Sequence, residues 1–461
     1  MSTQTMTTSS QVRLGPQHLG MCPGIKSAAP GTIDTANRLL QKNHDESHIF
    51  WRDFAGHNHT VHNVLTRLAI GANSADLESG YVDNNRDRRP MPPLDENVIR
   101  ELGSDDGFYR HLGQLPDYTN YMVFFEREIE RKGWKGVIQE YCFARTRNAD
   151  VLLARMFDGA FHPIIHLGLG VEFEQPSIVA EALAQAATDI SFDVDVFFLN
   201  AEKFAREAGP PPADPRPLVE LYDEAFSNET IRTAARWEDF QWKMKNGVIG
   251  RAGQEIAALA AQFRVEAATL ERRTAEMISC SAYLAGAAQR PGKERRIDFF
   301  YMHDVTSSIF LTILARQPWI RLEDRIRMVE WKARLDLVWY ATCGTPKLHL
   351  SELEGYKAGP SAGWSWEKMF DVLRGLHDDG HVAKFARALK NGEEVSRQFE
   401  SGKSSSAFPV KGDMWLNLAR MAYDITLGVP EEKKWLAFVG FDVQWENVPI
   451  LQDWSTYTCS H

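Results

Sequence analysis

A chain of 461 residues with 44% hydrophobic and 25% charged content has enough apolar material for a large core and the surface of an ordinary globular protein. Its formal net charge of -10 argues against a general nucleic-acid binder, which needs a basic face to meet phosphate. The five cysteines, Cys22, Cys142, Cys280, Cys343 and Cys459, lack C-x-x-C spacing and read as reduced thiols of an intracellular, cytoplasmic protein. No run of about 18 apolar residues exists, so no membrane span is expected.

The polar start, Met1 to Gln11, has neither the basic nor the apolar region of a secretory signal. Residues 1–30 are expected to be disordered or extended, and residues 31–461 to form one large helical catalytic domain. A subdivision is available near 209–217, where Gly209-Pro-Pro-Pro reads as a connector. Residues 31–42 carry Ile33, Ala36, Leu39 and Leu40 at helical spacing. Next, Val61, Val64, Leu65, Leu68 and Ala69 predict an amphipathic helix that Gly71 stops, which sets His59 and His62 one turn apart. Two imidazoles at that spacing can hold one metal ion, or can simply line a helix start. A short helical piece follows from Ser74, then a proline-stiffened loop over 83–95 and an amphipathic surface helix over 117–132.

His162-Pro163 suits a helix start, and His166 then lies one turn on, at the i,i+4 spacing of two-histidine metal motifs. Pro163 and Ile164 exclude the H-E-x-x-H protease signature. Gly168-Leu-Gly170 fails as a dinucleotide fingerprint, because its third glycine would fall on Phe173. Residues 177–187 are alanine-rich and read as a closely packed helix. Long helical patterns run over 231–245, 254–288 and 297–316. In the last, His303 and Asp304 interrupt an apolar run, as a histidine held by neighbouring hydroxyls or as a further arm of a metal site. Lys332 falls on the apolar stripe of Met328, Leu335 and Trp339. It can snorkel, pair with Asp336 one turn on, or, if buried and neutral, take up CO2 as a carbamate. Helices are expected over 364–375, 382–400 and 414–425. His377-Asp-Asp-Gly-His381 has metal-like spacing but reads as a solvated turn, and residues 435–440 fit a strand or a last helix.

Taken in order, Asn58-His59-x-x-His62, Gly71-Ala72, His162-Pro-Ile-Ile-His166, Glu172-Phe173, Glu181-Ala-Leu-Ala, His303-x-x-Thr306-Ser-Ser and Lys332-x-Arg334-x-Asp336 resemble the questin oxidase-like family, from about His57 to about Pro346. That family includes fungal enzymes that open an anthraquinone ring in aromatic polyketide pathways. They were classed as Baeyer-Villiger-type oxidases using NADPH, and part of the family resembles non-haem iron dioxygenases with a histidine-rich centre and a carbamylated lysine. The resemblance implies that His59, His62, His166 and His303 bind Fe(II), with Lys332, as N-carboxylysine, the fifth and catalytic ligand. His162 either replaces one of these or stands behind them, and Tyr301 or Asp304 orients His303. An all-α, multi-helix body is expected, with the iron between core helices and an aromatic polyketide and O2 as small-molecule substrates. Two alternatives stand beside this reading. One is a metal-free NADPH-dependent Baeyer-Villiger-type questin oxidase, although no glycine-rich cradle offers a place for the pyrophosphate. The other is a helical binding or scaffold protein with satisfied core histidines.

Overall fold

The computed structural model describes residues 9–451 except 55, 85–87, 213–214 and 403–404. Among the described residues, β-pairing is confined to isolated bridges such as Phe50 with His57 and Asp298 with Leu436. The protein is therefore all-α, as the 3.6-residue periodicity of its sequence predicts.

The helices that build the centre are α1 (Thr32–Glu46), α2 (Thr60–Ala69), α3 (Tyr118–Lys132), α4 (His162–Glu172), α5 (Pro176–Thr188), α6 (Leu270–Ala287), α7 (Phe299–Ala315), α8 (Leu322–Thr342) and α9 (His381–Ser396). Helix α5 lies between α3 and α4, and α7 packs on α4, α6, α8 and α9. Helix α2 touches α1, α4 and α9. Buried apolar side chains from Val12 to Val448 form one continuous cluster around them.

Every residue of α4 and α5 is buried, so both must pack on all sides. Two glycines make this fit. A Cβ on Gly168 would sit 2.3 Å from the Phe310 ring on α7, and one on Gly170 would sit 3.0 Å from the Val179 backbone nitrogen on α5. The Gly-x-Gly pair therefore brings helices close together rather than cradling phosphate. Pro163 at the first turn of α4 loses nothing, because its missing N–H would have had no helical partner. The turn before it holds Ala160 at φ 51° and Phe161 at φ 65°, left-handed values that cost a non-glycine residue about 1–3 kcal/mol.

The structure departs from the predicted elements in three places. Residues 231–245 are not one helix. They divide into Glu229–Arg232, a 3₁₀ turn over Trp237–Trp242 and a π-helix over Lys243–Ile249. Buried Lys243 causes the break by donating to the carbonyls of Trp237 and Phe240, which removes them from a helical ladder. Likewise 254–288 is two helices, Gly250–Ala260 and α6, parted where buried Arg273 takes the carbonyl of Arg264. Residues 435–440 form neither strand nor helix; Leu436 makes one bridge to Asp298. The segment from residue 9 to 30, for which a disordered or extended course was expected, runs without helix and is pinned to the body, Leu14 N–H donating to Asn37 at 2.6 Å and Met21 N–H to Glu172 at 2.6 Å.

Residues 1–8, Cys459 and residues 213–214 of the proline-rich connector lie outside the described residues. Cys22, Cys142, Cys280 and Cys343 are buried free thiols. Among the described residues no helix is long and apolar enough to cross a membrane.

Candidate metal centre

Four helices deliver histidines to one place. His59 occupies the N-cap of α2 and His62 its first turn, His162 and His166 open α4, His303 lies on α7, and His381 begins α9. His57 joins them from the segment before α2. The Nε2 atoms of His59 and His162 are 2.8 Å apart. Ring centroids are separated by 4.0 Å for His57–His162, 4.5 Å for His59–His381, 4.7 Å for His162–His303 and 5.3 Å for His62–His166. One nitrogen each from His59, His162 and His381 all lie within 4.8 Å of one another, close enough to ligate a common ion.

Five of the seven rings are held by a partner outside the cluster. His162 Nδ1 donates to the Gly159 carbonyl at 2.6 Å and His303 Nδ1 to the Phe299 carbonyl at 2.8 Å. His381 Nδ1 donates to Asp379, His166 Nε2 to Glu181 at 2.7 Å, and His57 Nε2 to Asp189 at 2.9 Å. These bonds fix tautomers and turn the opposite nitrogen inward. His303 Nε2, His381 Nε2, His166 Nδ1 and both nitrogens of His62 are buried without a hydrogen-bond partner among the described residues. A buried polar atom left unpaired costs about 1–3 kcal/mol, so several within one cluster of imidazoles fit a cation that would take up their lone pairs. Burial, reinforced by the neighbouring imidazoles and Lys384, holds His59, His62, His162 and His303 well below the ordinary imidazole range. Burial acts first on His381 too, backed by Lys384 and Lys434. These rings are thus neutral, the form that binds metals.

The structure brings together His59, His62, His162, His166 and His303 from the sequence-predicted set. His162 lies at their middle, beside His57, His59, His62 and His303, rather than behind them. Lys332 sits elsewhere: its ammonium is ion-paired with Asp336 and lies 4.7 Å from the Phe161 ring, in a buried group with Asp304. The lysine that faces the histidines is Lys384, one turn into α9. Burial lowers it to about 8 against the pull of Asp379 and Asp378, and its Nζ has no hydrogen-bond partner among the described residues. Neither Tyr301 nor Asp304 orients His303. Tyr301 donates to the Tyr340 carbonyl, Asp304 faces Asp336, and the Phe299 carbonyl does the orienting.

His381 is a further correction. Its neighbours Asp378, Asp379 and Gly380 suggest a solvated turn, yet it is only 2% exposed. Gly380, at φ 91°, turns the chain into α9, and Asp379 bends back onto the ring. His377 alone of that pair faces solvent.

The histidines open into a cavity of about 760 Å³, walled by His57, His59, His162 and His381 with Trp51 and Phe299. That volume is in the range of small-molecule sites. Imidazole nitrogens of this number suit Fe(II) and its neighbours in the first transition row.

Fold and site together define an all-α protein with a buried polyhistidine centre beneath a ligand cavity. A sequence profile of the questin oxidase-like family matches residues 56–389, a span that includes every histidine of the centre and Lys384. The chain is 51% identical over 445 residues to a Baeyer-Villiger oxidase of Pestalotiopsis fici, covering 96% of this chain and 99% of that one. It is 50% identical over 441 residues to a Baeyer-Villiger monooxygenase of Cryptosporiopsis sp., covering 95% and 98%. Against a questin oxidase of Aspergillus fumigatus it is 47% identical over 448 residues, covering 97% and 100%. The chain belongs to the questin oxidase-like family and is an oxidoreductase.

Proposed function

We propose that the protein is a non-haem iron oxygenase that uses O2 to open a ring of an anthraquinone-type aromatic polyketide in secondary metabolism. The observation that carries this reading is the cluster of buried imidazoles, several with unpartnered nitrogens, of which His57, His59, His162 and His381 wall a cavity large enough for a tricyclic quinone. The names of the relatives, questin oxidase and Baeyer-Villiger oxidase, support the substrate class and the insertion of oxygen beside a carbonyl.

His59, His162 and His381 would hold the iron, with His62, His166 and His303 offering further nitrogens from the same cluster. Carbamylation, in which an amine and CO2 give a carbamate and a proton, fits Lys384 better than Lys332, whose ammonium is taken by Asp336. Bound Fe(II) would supply electrons to dioxygen and a Lewis acid for a ring oxygen. Trp51 and Phe299 offer apolar faces to a planar ring system. His57, held through Nε2 by Asp189 in the cavity wall, keeps Nδ1 as an acceptor for a phenol proton.

A Baeyer-Villiger-type oxidase that draws on NADPH and no metal is the second reading, favoured by the relatives' names alone. Oxygen uptake with a phenolic anthraquinone separates the two. Turnover that stops on chelation and returns with Fe(II), without NADPH and with both atoms of O2 entering the opened product so that no reductant is consumed, is the expected result. Turnover that survives chelation and requires NADPH would replace the first reading with the second.

A further inference from the structure

Glu181 stands where an alanine-rich helix has little reason to carry a charge. It lies on α5 among Ala180, Ala182 and Ala184, only 2% exposed, and each of its oxygens serves one imidazole. Oε2 accepts from His166 Nε2 at 2.7 Å, and Oε1 accepts from His44 Nδ1 at 2.6 Å. The far nitrogen of His44 meets Glu126 Oε1 at 2.9 Å, on α3. With carboxylates on both sides, His44 needs a proton on each nitrogen to make both bonds, so it is an imidazolium. The four groups come from α4, α5, α1 and α3 and run from the centre to Glu126, which is 14% exposed. Two carboxylates and one imidazolium leave a net negative charge directly behind His166.

Resting on the metal reading above, we propose that Glu181 is a positioning residue for His166, held in place by the His44–Glu126 pair. By taking the Nε2 proton of His166 in a hydrogen bond, Glu181 sets the tautomer whose Nδ1 lone pair is free. That Nδ1 is buried, has no hydrogen-bond partner among the described residues, and belongs to a ring 5.3 Å from His62. His162 and His303 lean instead on neutral backbone carbonyls. The carboxylate behind His166 would therefore make its Nδ1 the stronger electron donor to a bound cation.

The test uses the full chain loaded with Co(II), read by equilibrium dialysis and by its ligand-field absorption. Glu181→Gln should weaken Co(II) binding by about 10–100-fold and shift the absorption bands while leaving the far-ultraviolet dichroism intact. His44→Gln, which leaves the Glu181–His166 contact in place, should produce a smaller shift in the same direction. Wild-type affinity and unchanged bands in a folded Glu181→Gln protein would overturn the proposal. Nitrogen-15 spectra of metal-free wild type give an independent decision. An Nε2-protonated His166 is expected, and an Nδ1-protonated ring refutes the assignment even if the variants fail to fold. Wild type that binds no Co(II) counts against the metal reading, and the tautomer still decides the role of Glu181.

Discussion

At the scale of single residues, two buried lysines have opposite surroundings and should respond oppositely to the same change. Lys332→Met strips the partner from Asp336 beside Asp304 in a fully buried group, a loss of about 3–5 kcal/mol by the usual cost of breaking such a pair. It should lower the melting temperature and leave metal retention of the folded fraction unchanged. Lys384→Met removes a buried ammonium without a hydrogen-bond partner, so stability should hold or rise while metal retention falls. Calorimetry and metal analysis of the two variants check both statements. His44 gives a pH dependence. Burial opposes its charge, but hydrogen bonds to Glu126 and Glu181 raise it from 6.5 to about 10, so its contribution is complete below 6.5 and fades as the pH rises through 10. Glu181 is opposed by burial too, yet hydrogen bonds from His166 and His44 lower it from 4.5 to about 2, so its share is complete above 4.5 and fades as the pH falls toward 2. The stability gap between wild type and His44→Gln should therefore narrow between pH 6.5 and 10 in urea titrations.

The residues legible in the sequence are those whose spacing repeats a helical turn: His59 with His62, and His162 with His166. His303 was visible as a polar residue in an apolar run. Lys384 and His381 were not, because their helix begins at a left-handed glycine after two acids, a composition that surface turns share. Lys332 misled for a related reason: a lysine on an apolar stripe shows burial, but not which buried acid it meets.

At the scale of elements, the approach of α4 to α7 through Gly168 sets the distance between His166 and His303. Gly168→Ala forces a methyl group into the Phe310 ring, and overpacking of this kind costs about 1–3 kcal/mol. A lower melting temperature with weaker metal retention is expected, and pairing the change with Phe310→Leu should recover part of both. Helix positions were readable from apolar periodicity, as in α1, α2, α7 and α9. The breaks within 231–245 and 254–288 were not, because there Lys243 and Arg273 turn back onto carbonyls three to nine residues earlier, a local choice that apolar spacing does not record.

At the scale of the whole molecule, the centre ties together α2, α4, α7 and α9, which belong to distant parts of the chain. An ion that binds only the assembled site stabilises the fold by mass action, about 2.7 kcal/mol at a free concentration a hundred times Kd. The melting temperature should thus rise with added Fe(II) under anaerobic conditions and fall on chelation. The fold class was legible because helical periodicity covers the chain; the convergence of its histidines was expected only from the family resemblance, since nothing in a linear spacing sets the distance between helices a hundred residues apart. Metal analysis of protein purified without chelator, alongside a His162→Ala variant, addresses that convergence most directly. About one iron per chain in wild type and almost none in a variant of unchanged helicity is the predicted result, the central imidazole being lost. Wild type that stays free of metal through anaerobic reconstitution, or a variant that keeps its full complement, would contradict it.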